Sequence, residues 1–354
     1  MEIHQILPTI SPADAIGNEV IEIKKILNEW GYKSEIYAQD IHPHVKAKKF
    51  MDYESVSSEK NILIFHFSIG SVITDFIKNL PDKKIMIYHN VTPHEYFVGV
   101  NDNLVSLLLH ARKELSSLAD HIDLSIGVSE YNRLELQEMG FKNTDVLPII
   151  MDFTAYESYN KKTYIKYDDE FVNILFVGRI TPHKKQDDLL KVFYYYKKIN
   201  PKSRLFLVGN YEGCEMYYGY LKSLIRDLDL SDVHLTGKVS FDDLLSYYKL
   251  ADIFLCMSEH EGFCVPIIES MHFEIPIIAY NSTAIPYTLD NAGVLVNKKN
   301  YCEIAEMMHF LIHDKQMADV IIRNQKLRLN AFNKESTLLK LKEMLLRVKN
   351  NDLQ

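Results

Sequence analysis

Apolar and polar positions along the chain alternate between two periods, short and helical, in two separate series. In the first, strand-length apolar runs lie at 3–7, Ser34–Tyr37, Ile62–His66, Lys84–Tyr88, 123–128 and 144–148. Between them lie helical patterns at about 18–30, 71–79, 103–120 and 130–139. Strands that alternate with helices predict crossover connections, and hence a parallel, doubly wound sheet. The alternation stops at 152–170, a polar, tyrosine-rich and charged stretch without apolar periodicity, which predicts an interdomain linker. It then resumes. Strands are expected at Val172–Val177, Arg204–Val208, Val233–Thr236, Ile253–Cys256, Ile277–Tyr280 and Val294–Val296, with helices at 186–199, 216–228, 241–250 and 266–273. Three further helical stretches, near 300–313, 316–330 and 335–349, close the chain. The pattern is therefore α/β, with two Rossmann-like halves.

The 354 residues suffice for two domains with full cores, and 47% hydrophobic with 25% charged residues is an ordinary globular balance. A formal charge of −8 argues against nucleic acid as a partner, since that would call for a concentrated basic surface. The cysteines Cys214, Cys256, Cys264 and Cys302 have no paired short spacing for zinc, and Cys256 and Cys264 lie in apolar runs, as reduced core thiols do. A reducing, cytoplasmic setting is the expectation. Met1–Pro8 reads as a strand rather than a signal peptide, and no apolar run approaches the length of a membrane span. Any membrane contact is then peripheral. Lys46, Lys48 and Lys49 beside Phe50 offer such a contact, or simply a basic loop exposed to water.

The most specific stretch is Ser258-Glu259-His260-Glu261-Gly262-Phe263-Cys264-Val265-Pro266-Ile267-Ile268-Glu269-Ser270-Met271. Pro266 has the fixed φ favoured at a first helical position, so a helix is expected to begin there. Residues Gly262, Phe263, Cys264 and Val265 would then offer main-chain amides at a helix start, where phosphate binds readily. Glu261 and Glu269, with seven residues between them, supply acceptors for hydroxyls on different parts of one ligand.

In this string the sequence resembles the retaining glycosyltransferases of family 4, whose signature is Glu, seven residues, Glu. The resemblance covers the whole chain and is strongest from about 172 to 296. It implies the GT-B architecture, two Rossmann-like domains facing a cleft, with an acceptor-side domain at 1–160 and a nucleotide-sugar domain at 165–334. The final helix, about 335–354, would pack back on the first domain. By the same resemblance Glu261 contacts the donor sugar, Glu269 the nucleotide ribose, and the intervening amides the sugar and phosphate. Gly178-Arg179 followed by Lys184 matches the family's basic pair, which would neutralise a leaving diphosphate.

Ligands of open α/β sheets gather outside the carboxyl ends of strands. His89 follows strand 84–88, and the resemblance makes it a reaction-centre residue; a capped turn built by Asn90 and Thr92 is the other reading. His66 is a second candidate. In the loop after the first strand, Gly17 holds the place of the glycines that approach phosphate in relatives, and Asp14 and Asn18 either bind sugar hydroxyls or cap the next helix. Gly209-Asn210 and Gly237-Lys238-Val239 are expected to form the base pocket through main-chain groups.

The function expected is transfer of a hexose or N-acetylhexosamine from a nucleoside-diphosphate sugar, UDP favoured over GDP, to a glycan or lipid-linked acceptor in bacterial surface polysaccharide synthesis. Retention at the anomeric carbon follows from the resemblance. No metal and no cofactor are implied, because no Asp-x-Asp stands where it could hold an ion beside a diphosphate. The alternatives are a sugar-nucleotide epimerase or phosphorylase of the same fold, or a non-catalytic sugar-nucleotide-binding subunit.

Overall fold

The structure, a computed structural model, describes residues 1–11 and 15–352. It divides into two compact units, one of Met1–Glu95, Asn103–Met151 and Phe332–Gln354, the other of Tyr96–Asp102 and Asp152–Ala331. One break thus falls after Met151, where the polar 152–170 stretch begins.

The first unit contains β1 (Ile3–Ile10), α1 (Ala15–Glu29), β2 (Ile36–Ile41), β3 (Lys48–Lys49), β4 (Ile62–Phe67), α2 (Ile73–Lys78), β5 (Lys83–Tyr88), α3 (Asp102–Ser116), β6 (Leu124–Gly127), α4 (Glu130–Glu138) and β7 (Thr144–Val146). Its strands form one parallel sheet in the order β3-β2-β1-β4-β5-β6-β7. All six residues of β4 are buried, as expected of a parallel strand covered on both faces. The register pairs Gln5 with Ile64 and His66 with Ile87. Because side chains alternate between faces along a strand, Gln5 and His66 share one face. Helix α1 buries Gly17, Glu19, Val20, Ile23, Ile26 and Leu27. Glu19 is the one charged side chain on that stripe.

The second unit contains α5 (Lys161–Tyr167), β8 (Val172–Val177), α6 (Gln186–Ile199), β9 (Ser203–Val208), α7 (Glu215–Asp227), β10 (Val233–Gly237), α8 (Phe241–Leu250), β11 (Ile253–Cys256), α9 (Val265–His272), β12 (Ile277–Tyr280), α10 (Ile285–Leu289), β13 (Val294–Val296), α11 (Tyr301–His313) and α12 (Lys315–Leu329). Its strands are again parallel, in the order β10-β9-β8-β11-β12-β13. The last helix, α13 (Lys334–Asn350), is part of the first unit. There Lys83 Nζ donates to the carbonyls of Val348 and Lys349 at 3.0 and 2.9 Å, a cation at the open carbonyl end of a helix.

The stretch read as a linker is built into the second unit. Thr163 Oγ1 and Asn160 Nδ2 donate to Asp243 at 2.6 and 2.8 Å, and Ser246 Oγ donates to the Asn160 carbonyl at 3.0 Å. These polar contacts leave no apolar period in the sequence, which is why α5 is not legible there. Residues 96–102 also join this unit, where the Asn101 amide donates to the Gly213 carbonyl at 2.9 Å.

Candidate active site

In the second unit, β11 runs through a short loop into α9. The helix starts at Val265, with Pro266 second rather than first, and Cys264 caps it in a left-handed conformation at φ 70. The Cys264 and Val265 amides therefore lie at its open end, as the sequence reading requires of a phosphate-binding start. The loop is held from several sides. The Glu261 amide donates to Thr283 Oγ1 at 2.8 Å, Thr288 Oγ1 donates to the Phe263 carbonyl at 2.6 Å, and Ser282 Oγ donates to the Ser258 carbonyl at 2.6 Å. Phe263 is buried and Gly262 half-buried.

Lys184 meets Glu261 directly. Its Nζ donates to both carboxylate oxygens, at 2.7 and 2.6 Å, with the two side chains 19% and 6% exposed. Burial alone would favour a neutral amine, but the Glu261 carboxylate outweighs it and raises the Lys184 pKa above its usual value. The Glu259 amide donates to the His183 carbonyl at 2.8 Å, tying the Lys184 turn to the Glu261 loop. Arg179 is not brought to the same point. It is exposed, and its Nη2 donates to the Glu212 carbonyl at 3.1 Å. The strand ends here are close-packed, since a Cβ on Gly209 would lie 1.9 Å from the Gly178 carbonyl oxygen. Val239 is half-buried in the loop after β10.

Glu269 lies one helical turn into α9, and two tyrosines engage it. Tyr156 Oη donates to Oε1 at 2.8 Å and Tyr248 Oη to Oε2 at 2.6 Å. Its burial raises the carboxyl pKa while these hydroxyls oppose the rise. Each oxygen keeps a second lone pair, so a ribose hydroxyl has acceptors left. Neither tyrosine was singled out from sequence, because nothing in their local pattern separates a hydroxyl aimed at a carboxylate from a core ring.

In the first unit, the strand-end candidates converge. His66 lies within β4 rather than after it, and its Nδ1 is 3.1 Å from His89 Nε2, the two rings nearly parallel at 18°. His66 Nε2 is 2.9 Å from Gln5 Oε1. On its other side, His89 Nδ1 is 3.7 Å from Glu19 Oε2. The His89 side chain is 3% exposed although the residue as a whole is half-buried, so its remaining accessible surface is mainly main chain. Asp14 lies outside the described residues. Gly17 and Asn18 belong to the first turn of α1, not to a loop, because the helix begins at Ala15, three residues before the expected start. Gly17 is buried and Asn18 exposed. Glu19 and Gln5 were not anticipated; a carboxylate on the buried stripe of α1 was the readable signal.

Among the described residues, two groups place three ligand-type atoms within 4.8 Å of one another: Glu19, His66 and His89, and Cys256, Glu261 and Cys264. In the second, Lys184 engages Glu261; in the first, both His66 nitrogens and His89 Nε2 have protein partners, while Glu19 and His89 Nδ1 face each other at 3.7 Å. The basic stretch near Lys46 is partly tied down, with Lys49 Nζ donating to the Gln39 carbonyl at 2.8 Å and the Phe50 ring set edge-on to Phe76 at 5.3 Å. No helix among the described residues is long and apolar enough to cross a membrane.

Residues 160–328 match the family model for glycosyl transferases group 1. An uncharacterized glycosyltransferase of Haemophilus influenzae is 27% identical over 297 residues, covering 80% of this chain and 78% of that protein. The capsular polysaccharide biosynthesis glycosyltransferase CapM of Staphylococcus aureus is 26% identical over 234 residues, 62% of this chain and 57% of its own length. Among solved structures, Anabaena HepE in complex with UDP-glucose aligns with a TM-score of 0.78 at 16% identity, covering 98% of this chain and 99% of that one. The fold is GT-B, and the group 1 domain and these relatives make the chain a glycosyltransferase.

Proposed function

We propose that the chain transfers a hexose or N-acetylhexosamine, with retention at the anomeric carbon and without a metal ion, from a nucleoside-diphosphate sugar to a glycan or lipid-linked acceptor in surface polysaccharide synthesis. The observation that carries this reading is the buried pair of Lys184 and Glu261 at the start of α9, with Glu269 behind it. In the proposed complex, the diphosphate approaches the open end of α9 and draws the Lys184 ammonium partly from Glu261. The freed carboxylate then accepts from sugar hydroxyls while Glu269 accepts from the ribose. Charge that grows on the leaving phosphate meets a cation and main-chain amides already in place, the kind of preorganised stabilisation that lowers a barrier most. Arg179, free to swing from the Glu212 carbonyl, adds a second cation.

In the first unit the His89 ring faces buried partners, so what His89 can offer a ligand is its main chain. The departing phosphate oxygen would take the acceptor proton, so no protein base is required. HepE was solved with UDP-glucose, which supports a UDP donor, and CapM is named for capsular polysaccharide, which supports a glycan product. A panel of UDP- and GDP-sugars read by thermal shift tests the donor assignment, because a ligand that binds only the folded protein raises its melting temperature. Stabilisation by one base series is expected. Absence of a shift with every donor would refute the reading.

A further inference from the structure

The buried contacts around His66 and His89 have a direction, and it is set at one end by a group that can only accept. Gln5 Nε2 donates to the Val20 carbonyl at 2.9 Å, which leaves Gln5 Oε1 as the atom facing His66 Nε2 at 2.9 Å. An amide oxygen cannot donate, so His66 carries its proton on Nε2 and presents a bare Nδ1. His89 Nε2, 3.1 Å away, must then be the donor, leaving His89 Nδ1 bare unless the ring is charged. That nitrogen faces Glu19 Oε2 at 3.7 Å. Neither Glu19 oxygen nor His89 Nδ1 has a hydrogen-bond partner, and all three atoms are buried.

With no proton between them, a carboxylate would face an imidazole lone pair, and both would be buried unsatisfied at a cost of about 1–3 kcal/mol each. One proton, with the two atoms drawn in from 3.7 Å to hydrogen-bond distance, resolves both. Burial decides where it rests, pushing the Glu19 carboxyl up to about 8 and the His89 ring down to about 3, so the carboxyl holds it. The groups acting on this site from the surrounding elements are few. His89 approaches after β5 and His66 from β4, and the Ile150 amide after β7 comes near without reaching hydrogen-bond geometry.

We propose that Glu19 is a neutral carboxylic acid that faces His89 Nδ1 and donates to it once the 3.7 Å between them closes to hydrogen-bond distance, completing a one-way chain from Glu19 through His89, His66 and Gln5 to the Val20 carbonyl. Glu19 is thereby a positioning residue. It fixes the His89 ring, and through it the main chain at residues 89–90, where Asn90 takes a positive φ of 82 and its side-chain Nδ2 donates to Asn132 Oδ1 at 2.9 Å. The effect on transfer rests on the functional reading above; the direction of the chain does not.

Two measurements on the full-length protein test the proposal. The first is long-range proton–nitrogen NMR of 15N-histidine-labelled protein near pH 7, with resonances assigned through His66→Gln and His89→Gln. Both rings should be neutral and protonated on Nε2, in wild type and in Glu19→Gln. A proton on Nδ1 of either ring would overturn the proposal, as would a doubly protonated His89. The second compares variants in sugar transfer. Glu19→Gln keeps a donor facing Nδ1 and should retain activity within about threefold, whereas Glu19→Ala should lose about tenfold or more with nucleotide affinity intact, the mark of lost positioning. Equal damage from the two would contradict the neutral-acid role. Should no sugar be transferred at all, the tautomer measurement still decides the chain's direction.

Discussion

Replacing Glu19 with Gln should remove a specific dependence of stability on pH. The Glu19 carboxyl is fully buried in the folded chain and its pKa is raised from 4.5 to about 8. A group whose folded pKa is raised gives stability that is fully present below its unfolded value and is lost as pH climbs to the folded one. Here the window runs from about 4.5 to about 8, and within it each pH unit is worth about 1.36 kcal/mol. His66 and His89 have lowered pKa values, so their contribution has the opposite sign and changes only below their unfolded value near 6.5. Between pH 6.5 and 8 they are neutral in the folded state and mostly neutral in the unfolded one, and what remains is common to both proteins. Over those 1.5 units wild type should therefore lose about 2 kcal/mol relative to Glu19→Gln. Every titrating group common to both proteins cancels in the difference. The chain has one tryptophan, Trp30, one residue beyond α1, which makes its fluorescence a reporter of the unit that holds Glu19. Denaturant unfolding followed at Trp30 at four pH values across the window supplies the curves. Parallel curves for the two proteins would refute the reasoning, and so would a difference of opposite sign.

Two further variants test the other unit. Lys184→Met leaves Glu261 buried without its cation and should cost about 3–5 kcal/mol, while adding Glu261→Gln recovers much of that stability but not transfer; denaturant midpoints and rates on the same preparations separate the effects. Tyr248→Phe removes the hydroxyl that donates to Glu269 at 2.6 Å, so it should lower stability by about 1–2 kcal/mol and weaken nucleotide binding, read by melting and titration.

Both sheets were legible in the sequence because parallel strands are buried on two faces and leave continuous apolar runs, as at Ile62–Phe67. The start of α9 was legible as well, since Pro266 and the flanking carboxylates mark it. What the sequence concealed are contacts made by groups without periodicity. The 152–170 stretch hides α5, whose polar bonds to Asp243 follow no pattern. Tyr156 and Tyr248 reach Glu269 from 113 and 21 residues away, and sequence gives no direction to a tyrosine hydroxyl. Arg179 and Lys184 look equivalent in sequence, yet only Lys184 reaches Glu261, because it closes the turn Pro182–Lys184 while Arg179 stays exposed beside Glu212. His89 was placed at a strand end correctly, but its ring turns inward to His66 and Glu19 rather than toward solvent.

The most direct test of the central claim is sugar transfer by the purified protein in the presence of a chelator. A donor labelled at the anomeric carbon, drawn from the series that raises the melting temperature, is supplied with a lipid-linked glycan acceptor, and the product linkage is read by NMR. The account predicts label in the acceptor with the donor's own anomeric configuration, activity unchanged by the chelator, and loss of transfer in Lys184→Ala. Inverted configuration, or activity abolished by the chelator and restored by magnesium or manganese, would contradict it.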